Sequence, residues 1–139
     1  MNDVHIRPLL ETERPFVLSS WLKSYRNAPA VRLADNATYY AGQAASILKT
    51  LDRAETLVAA DPEDDNVIWG FIVSEGELIH YVYVKHLMRR NGLAHSLWCV
   101  AGKPTVATAM THAGESILRA HSDVLAFDPY AVGERERYL

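Results

Sequence analysis

The segment from Glu77 to Ala94 constrains the fold more than any other part of the chain. Apolar and polar residues alternate there as far as Val84, and a basic loop then leads into R-x-x-G-x-A, carried by Arg89, Gly92 and Ala94. Alternation of period two is the pattern of a half-buried strand, and a glycine just before an apolar helical run marks a helix start. Strand, tight turn and helix start in direct succession leave few arrangements. The first turn of a helix leaves its amides without intrahelical acceptors, and the positive end of the macrodipole lies there, so an anion can be held. Gly92 has no Cβ to keep a phosphate group away from the main chain, and Ala94 lets the helix begin close beneath it. Arg89 and Arg90 add positive charge at the same place.

Periodicity supplies the rest of the order. Val4 to Pro8 reads as a short strand, and Pro15 suits the first turn of a helix whose apolar face is Leu18, Trp21, Leu22 and Tyr25. Asn27 to Asp35 reads as a loop. A second helix follows, capped by Asp35 or Asn36, with Tyr40, Ala44, Ile47, Leu48 and Leu51 on one side. Glu55 to Ala60 and Val67 to Ser74 are strand-like around the turn-rich D-P-E-D-D-N, and Glu75 and Gly76 turn the chain into Glu77 to Val84, which predicts a three-stranded antiparallel meander. The motif helix runs from Gly92 to Ala101 and stops at Gly102. Val106 to Thr111 is a further strand, Ala113 to His121 a helix and Val124 to Phe127 a last strand.

This order, together with Ile79 to Ala94, I-H-Y-V-Y-V-K-H-L-M-R-R-N-G-L-A, resembles the acetyl-CoA-binding core of the GCN5-related N-acetyltransferases, in which a strand ending in Val is followed after five residues by Q/R-x-x-G-x-G/A. Val84 stands at that distance from Arg89. The resemblance implies a single α/β (α+β) domain over residues 1–139, with a mostly antiparallel, splayed central sheet flanked by helices on both faces. It implies acetyl-CoA as acyl donor, with Val82 and Val84 pairing the pantetheine through their main chain, and the residues Arg89, Arg90, Asn91, Gly92, Leu93, Ala94 and His95 around the pyrophosphate. The implied reaction is direct attack of an amine on the thioester, with either a small molecule or a protein as acceptor. Two features depart from the family: the usual strand glutamate position holds Leu78, and the usual Asn and Tyr of the later helix are missing. The stretches W-L-K-S-Y-R and Y-V-K-H-L-M-R-R also resemble small acetyltransferase-like proteins of bacteriophages.

An amine attacks only when neutral, so a base must remove its proton. His80 is the first candidate: strict alternation places it on the face of Leu78, Val82 and Val84, and its position relative to the motif is similar to that of a histidine in serotonin N-acetyltransferase. A hydrogen-bonded histidine lining the sheet fits the same pattern, and both readings stay open. Glu77 falls on the opposite face, and Glu75 is expected in the turn. For the proton returned to the departing thiolate, Tyr130 and His112 are the available groups. The resemblance puts the first two helices beside the acceptor, which makes Trp21, Tyr25, Tyr39 and Tyr40 candidates for an acceptor pocket, with core positions as the other reading for most of them; adjacent Tyr39 and Tyr40 cannot both point inward. Ser19 and Ser20 read as helix surface. The missing tyrosine and the substituted glutamate keep a second function in view, an acyl-CoA-binding or protein-interaction module on the same scaffold with little or no catalysis.

Composition excludes other classes. With 14 basic against 17 acidic residues and a net charge of -3, the chain offers no clustered positive surface for nucleic acid. No stretch approaches the roughly 20 apolar residues of a membrane span, and the N-terminus has no apolar leader. The single cysteine, Cys99, sits in a helical apolar pattern and fits a reducing compartment, so a cytoplasmic protein is expected. The histidines have no metal-ligand spacing, and no metal is expected. One copy and a homodimer are equally compatible with the sequence.

Overall fold

In a computed structural model, residues 4–89, 91–109 and 117–131 are described. Strand β1 (His5–Pro8) leads through a 3-10 turn (Glu11–Glu13) into helix α1 (Arg14–Tyr25), and helix α2 (Asn36–Arg53) follows. Strands β2 (Glu55–Asp61), β3 (Asp64–Glu75) and β4 (Leu78–Val84) then form the meander. A second 3-10 turn (His86–Met88), helix α3 (Leu93–Val100) and the short strands β5 (Val106–Ala107) and β6 (Ala126–Phe127) complete the order. One sheet holds all six strands in sequence order, antiparallel from β1 to β4 and parallel from β4 to β6.

Local chemistry accounts for the boundaries. Pro15 occupies the first turn of α1, where its missing amide is not needed. The Asp35 carboxylate accepts the Thr38 amide at 2.7 Å and caps α2. The β2–β3 turn is tighter than its composition suggests, because Asp61 and Asp64 pair across it while their side chains accept the Glu63 and Asn66 amides. Helix α3 stops where Gly102 and Lys103 take positive φ, and the Trp98 indole N–H donates to Pro104 O at 2.8 Å to hold that end down.

The sheet separates two apolar cores. Leu57, Ile72, Ile79, Val82, Val84 and the α3 residues Leu93, Leu97 and Trp98 form one; Val17, Trp21, Ile47, Leu51, Val58, Phe71, Val73 and Tyr81 form the other, beneath α1 and α2. Each fully buried side chain of this size contributes roughly 1.5–3 kcal/mol. Helix α2 is rotated from its predicted phase: Tyr39 is buried and donates to Leu22 O at 2.5 Å, whereas Tyr40 and Leu48 are exposed. The Arg26 guanidinium lies 4.8 Å over the Tyr39 ring and favours that choice.

The last strand is shorter than predicted, and the one before it is described only in part. Among the described residues 106–109 of the expected 106–111 strand, Val106 and Ala107 pair with β4, and of the expected 124–127 strand Ala126 and Phe127 pair with β5. Of the helix expected over 113–121, residues 117–120 are helical and 110–116 lie outside the described residues, as does His112.

Candidate functional site

The described part of β5 borders the site. Its pairing with β4 covers Leu78 and Ile79, and the Thr108 amide adds one more rung to Ile79 O at 2.9 Å. On the other side β4 stays paired to β3 throughout, and the rung from the Lys85 amide to Trp69 O fixes the phase of that ladder. Residues 81, 83 and 85 therefore direct their main-chain groups at β3, while Val82 and Val84 direct theirs away from it, past the described end of β5. The side chains of Val82 and Val84 are buried in the α3 core. Buried side chains and main-chain groups turned away from β3 coexist at these two residues.

The chain then runs from this edge into the helix start. Arg89 Nε donates to Val84 O at 3.2 Å, and one terminal nitrogen lies 3.4 Å from His86 Nδ1, so Arg89 closes the loop back onto the strand end. Arg90 lies outside the described residues. The Asn91 side-chain amide donates to Met88 O at 3.4 Å. Gly92 is the helix N-cap with φ 75 and ψ 12, a left-handed conformation that side chains disfavour, and nothing lies within 4 Å of where its Cβ would be. The first helical bond runs from the Ser96 amide to Gly92 O, so the amides of Leu93, Ala94 and His95 precede the helical ladder. Leu93 is buried and Ala94 packs against the same core, which anchors the turn from beneath. The His95 ring is exposed and stacks on His121 at 4.9 Å. No acidic residue lies between Glu77 and Glu115, so the open amides sit in a basic setting.

His80 occupies a position that alternation did not anticipate. Val73 pairs with Tyr81 and Ser74 with Ile79, leaving His80 as the extra residue of a β-bulge. The bulge turns its ring away from the face of Val82 and Val84 toward the α2 side, where Nε2 lies 2.9 Å from Glu75 Oε1. The expectation that His80 shares a face with Val82 and Val84 is thus corrected. Glu75, expected in the turn, ends β3 and is gripped by Arg53 Nε at 3.0 and 2.8 Å. Burial alone would push the Glu75 carboxyl up, but hydrogen bonds from His80 and Arg53 outweigh it and hold the group below the usual carboxylate range. A carboxylate only accepts, so in neutral His80 the proton sits on Nε2 and the lone pair on Nδ1. Nδ1 lies 3.5 Å from Thr108 Oγ1, at the point where β4 and β5 part. Histidine, glutamate and arginine side chains are only 11–20% exposed.

Other candidates are placed elsewhere. Tyr130 is 88% exposed and its amide bonds to Asp128, so it is not brought to His80. Glu77 accepts from the Thr105 hydroxyl at 2.8 Å on the surface and ties down the start of β5. Trp21 and Tyr25 pack on the Tyr81 ring, as core. Two features escaped the sequence reading. Glu75 and Arg53 are distant in sequence and meet only because α2 ends above the β3–β4 turn. Ser19 and Ser20 face a groove between α1 and β4 rather than bulk solvent. Among the described residues no histidine, cysteine and carboxylate cluster is fit to hold a metal, and no helix is long and apolar enough to cross a membrane.

No family model matches the chain, and no curated protein matches it. Solved structures do. A GCN5-related N-acetyltransferase from Rhodopseudomonas palustris superposes with a TM-score of 0.60 at 17% identity, covering 86% of this chain and 81% of that one. Apo YjaB from Escherichia coli gives 0.59 at 18% identity over 87% and 80% of the two chains. A ribosomal-protein-alanine N-acetyltransferase from Brucella melitensis gives 0.56 at 18% identity over 93% and 94%. At such identities the likeness is one of fold: this chain has the fold of the GCN5-related N-acetyltransferases.

Proposed function

We propose that the protein is an N-acetyltransferase that takes an acetyl group from acetyl-CoA and passes it to an amine by direct attack. One observation carries the reading: a basic loop closed by Arg89 leads into the left-handed turn at Gly92, where the amides of Leu93, Ala94 and His95 precede the ladder of α3. That is a site for phosphates such as the pyrophosphate of CoA, and the strand leading into it is where the family resemblance lays the pantetheine. The fit extends to Gly92, where the space a side chain would fill is empty.

In this reading Val82 and Val84 orient the donor, Arg89 and the amides from Asn91 to His95 bind its pyrophosphate, and Arg90 adds charge. Bound there, acetyl-CoA supplies a thioester whose C–S bond breaks as the C–N bond to the amine forms. His80 takes the ammonium proton at Nδ1, directly or through the Thr108 hydroxyl or a water, leaving the amine lone pair free. Glu75 fixes the ring orientation and tautomer and stabilises the imidazolium, and Arg53 holds Glu75 in place. The departing thiolate is a good leaving group and takes its proton from water or from His80; Tyr130 has no part in this scheme. The alternative, a module that binds acyl-CoA without transfer, draws on that outward position of Tyr130.

Isothermal titration of the purified protein with acetyl-CoA tests the reading, with Gly92→Glu as control. Saturable binding that the variant loses is the expected result, followed by release of free CoA thiol when an amine is added. Folded protein that does not bind acetyl-CoA at millimolar concentration would refute it.

A further inference from the structure

Helix α1 carries two stripes. Val17 and Trp21 face the core, while Phe16, Ser19, Ser20, Lys23 and Ser24 line a groove of about 430 Å³ whose other wall is Tyr83 of β4. The Tyr83 ring is stacked on Phe71 at 5.3 Å, so this wall is fixed in place. Serines at 19 and 20 leave the space open; leucines at those positions would occupy it.

The polar groups of the groove are of one kind. The hydroxyls of Ser19, Ser20 and Tyr83 and the Lys23 ammonium have no hydrogen-bond or ion-pair partner among the described residues, and no acid lines the groove. Ser24 differs, since its hydroxyl is shared between Ser20 O and the Tyr81 hydroxyl. The surrounding sequence has the same bias. Residues 14–34 contain Arg14, Lys23, Arg26 and Arg32 and no acidic residue, in a chain whose net charge is -3. Arg14 is paired with Asp52, and Arg26 holds Asn36 and two main-chain carbonyls, which leaves Lys23 as the cation of the groove. A groove with one cation, several hydroxyls and no carboxylate attracts an anion and repels a polycation.

Its position gives it a use. Tyr81 and Tyr83 share the α1 side of β4, and the bulge at His80 turns that ring to the same side of the sheet. The groove therefore lies on the same side of the sheet as His80, opposite α3, with the buried Tyr81 between them along β4. We infer that it binds the non-reacting, anionic end of the acceptor, and that the acceptor is a small amine bearing a carboxylate or a phosphate rather than a polyamine. Lys23 and the hydroxyls of Ser19, Ser20 and Tyr83 hold the anion while the amine reaches His80. The assignment of this ligand as acceptor rests on the transferase reading; the groove as an anion-amine site does not.

The test separates the two. Amide shifts of ¹⁵N-labelled protein are followed while β-alanine, O-phosphoethanolamine or spermidine is added, without acetyl-CoA. The expected result is that one or both anionic amines shift the amides of Ser19 to Ser24 and Tyr83, that spermidine does not, and that Lys23→Glu weakens binding about tenfold or more. Which anionic amine binds more tightly tells carboxylate from phosphate. Ser20→Leu, which fills the groove, should abolish the shifts, and retained dispersion of the spectrum shows that each variant is folded. Spermidine shifting the same amides as strongly, anionic amines binding equally well to Lys23→Glu, or no shift from either anionic amine would overturn the inference. Shifts at the groove in a protein that fails to bind acetyl-CoA would refute the transferase reading and leave the anion-amine site standing. With both ligands bound, the free-thiol assay should show a raised KM for the anionic amine in Lys23→Glu at similar kcat.

Discussion

Replacing Gly92 separates backbone strain from electrostatics at the helix start. Its φ of 75 lies in the left-handed region, and a Cβ there meets nothing within 4 Å, so alanine introduces strain without a clash. That strain is about 1–2 kcal/mol. Unfolding entropy scales as about 2.1 cal/mol/K per residue, so for 139 residues the loss corresponds to a fall in Tm of roughly 3–7 °C. Gly92→Glu carries the same strain and adds a negative charge beside the open amides of Leu93, Ala94 and His95. Against a bound pyrophosphate this repulsion is worth about 1–3 kcal/mol at the effective dielectric of a protein surface, a roughly five- to 150-fold loss of affinity. The assay pairs thermal unfolding with titration by acetyl-CoA. Both variants should unfold at similar temperatures, alanine should bind within about threefold of the native protein, and glutamate should lose affinity by the larger factor, less so at high salt. A glutamate variant that binds acetyl-CoA as tightly as the alanine variant would refute the placement of the pyrophosphate at this turn.

Gly70→Ala should be more damaging to the fold, because its Cβ would fall 2.5 Å from Tyr83 O and 3.3 Å from Val84 Cα; a loss of about 1–3 kcal/mol is expected in denaturant unfolding. Glu13→Gln tests the clamp in which Arg7 grips Glu13 at 2.8 and 2.7 Å and also reaches Asp65. The Arg7 hydrogen bond holds the Glu13 carboxyl below its ordinary value, so its stabilisation is present above the unfolded carboxylate range near pH 4 and is lost as pH falls through the lower, folded value. The variant should be less stable by about 2 kcal/mol at pH 7 and indistinguishable from the native protein once Glu13 is protonated in the fold. His80→Gln should lower kcat by about 10²–10⁴-fold with acetyl-CoA affinity retained, and Glu75→Gln should shift the pH profile of kcat/KM as well as its height.

Much of the fold was legible because its signals are local. The cap at Asp35, the proline of α1, the meander from Glu55 to Val84 and the helix after Gly92 each follow from a few adjacent residues, and the structure places them within a residue or a few of their expected bounds. The phase of α2 was not legible. Tyr39 and Tyr40 are identical in hydrophobicity, and the inward choice of Tyr39 is made by Leu22 O and Arg26, partners from another helix and its following loop. The extent of β6 fails for a related reason, since a short apolar run carries no information on how much of it finds a neighbour.

The site divides along the same line. The residues proposed to bind the anion, Arg89 to His95, lie together in sequence, so they could be singled out from it directly. The surroundings of His80, the proposed base, could not, because they depend on an extra residue in β4. A bulge defeats period-two reasoning from the residue it inserts: Tyr81 to Val84 keep their expected faces, while Ile79 joins Val82 and Val84 in the α3 core and His80 turns to the other side. That single displacement brings the ring to Glu75 and Arg53 and onto the side of the sheet where α1 forms its groove. Without the bulge, His80 would point into the α3 core among Val82 and Leu97, where a histidine would lack acceptors and lie behind the sheet from any acceptor approaching along α1. The bulge therefore accounts both for the failure of alternation at this residue and for its availability to an amine, and removing one residue between Ile79 and Tyr81 should abolish activity even if the sheet re-registers and folds.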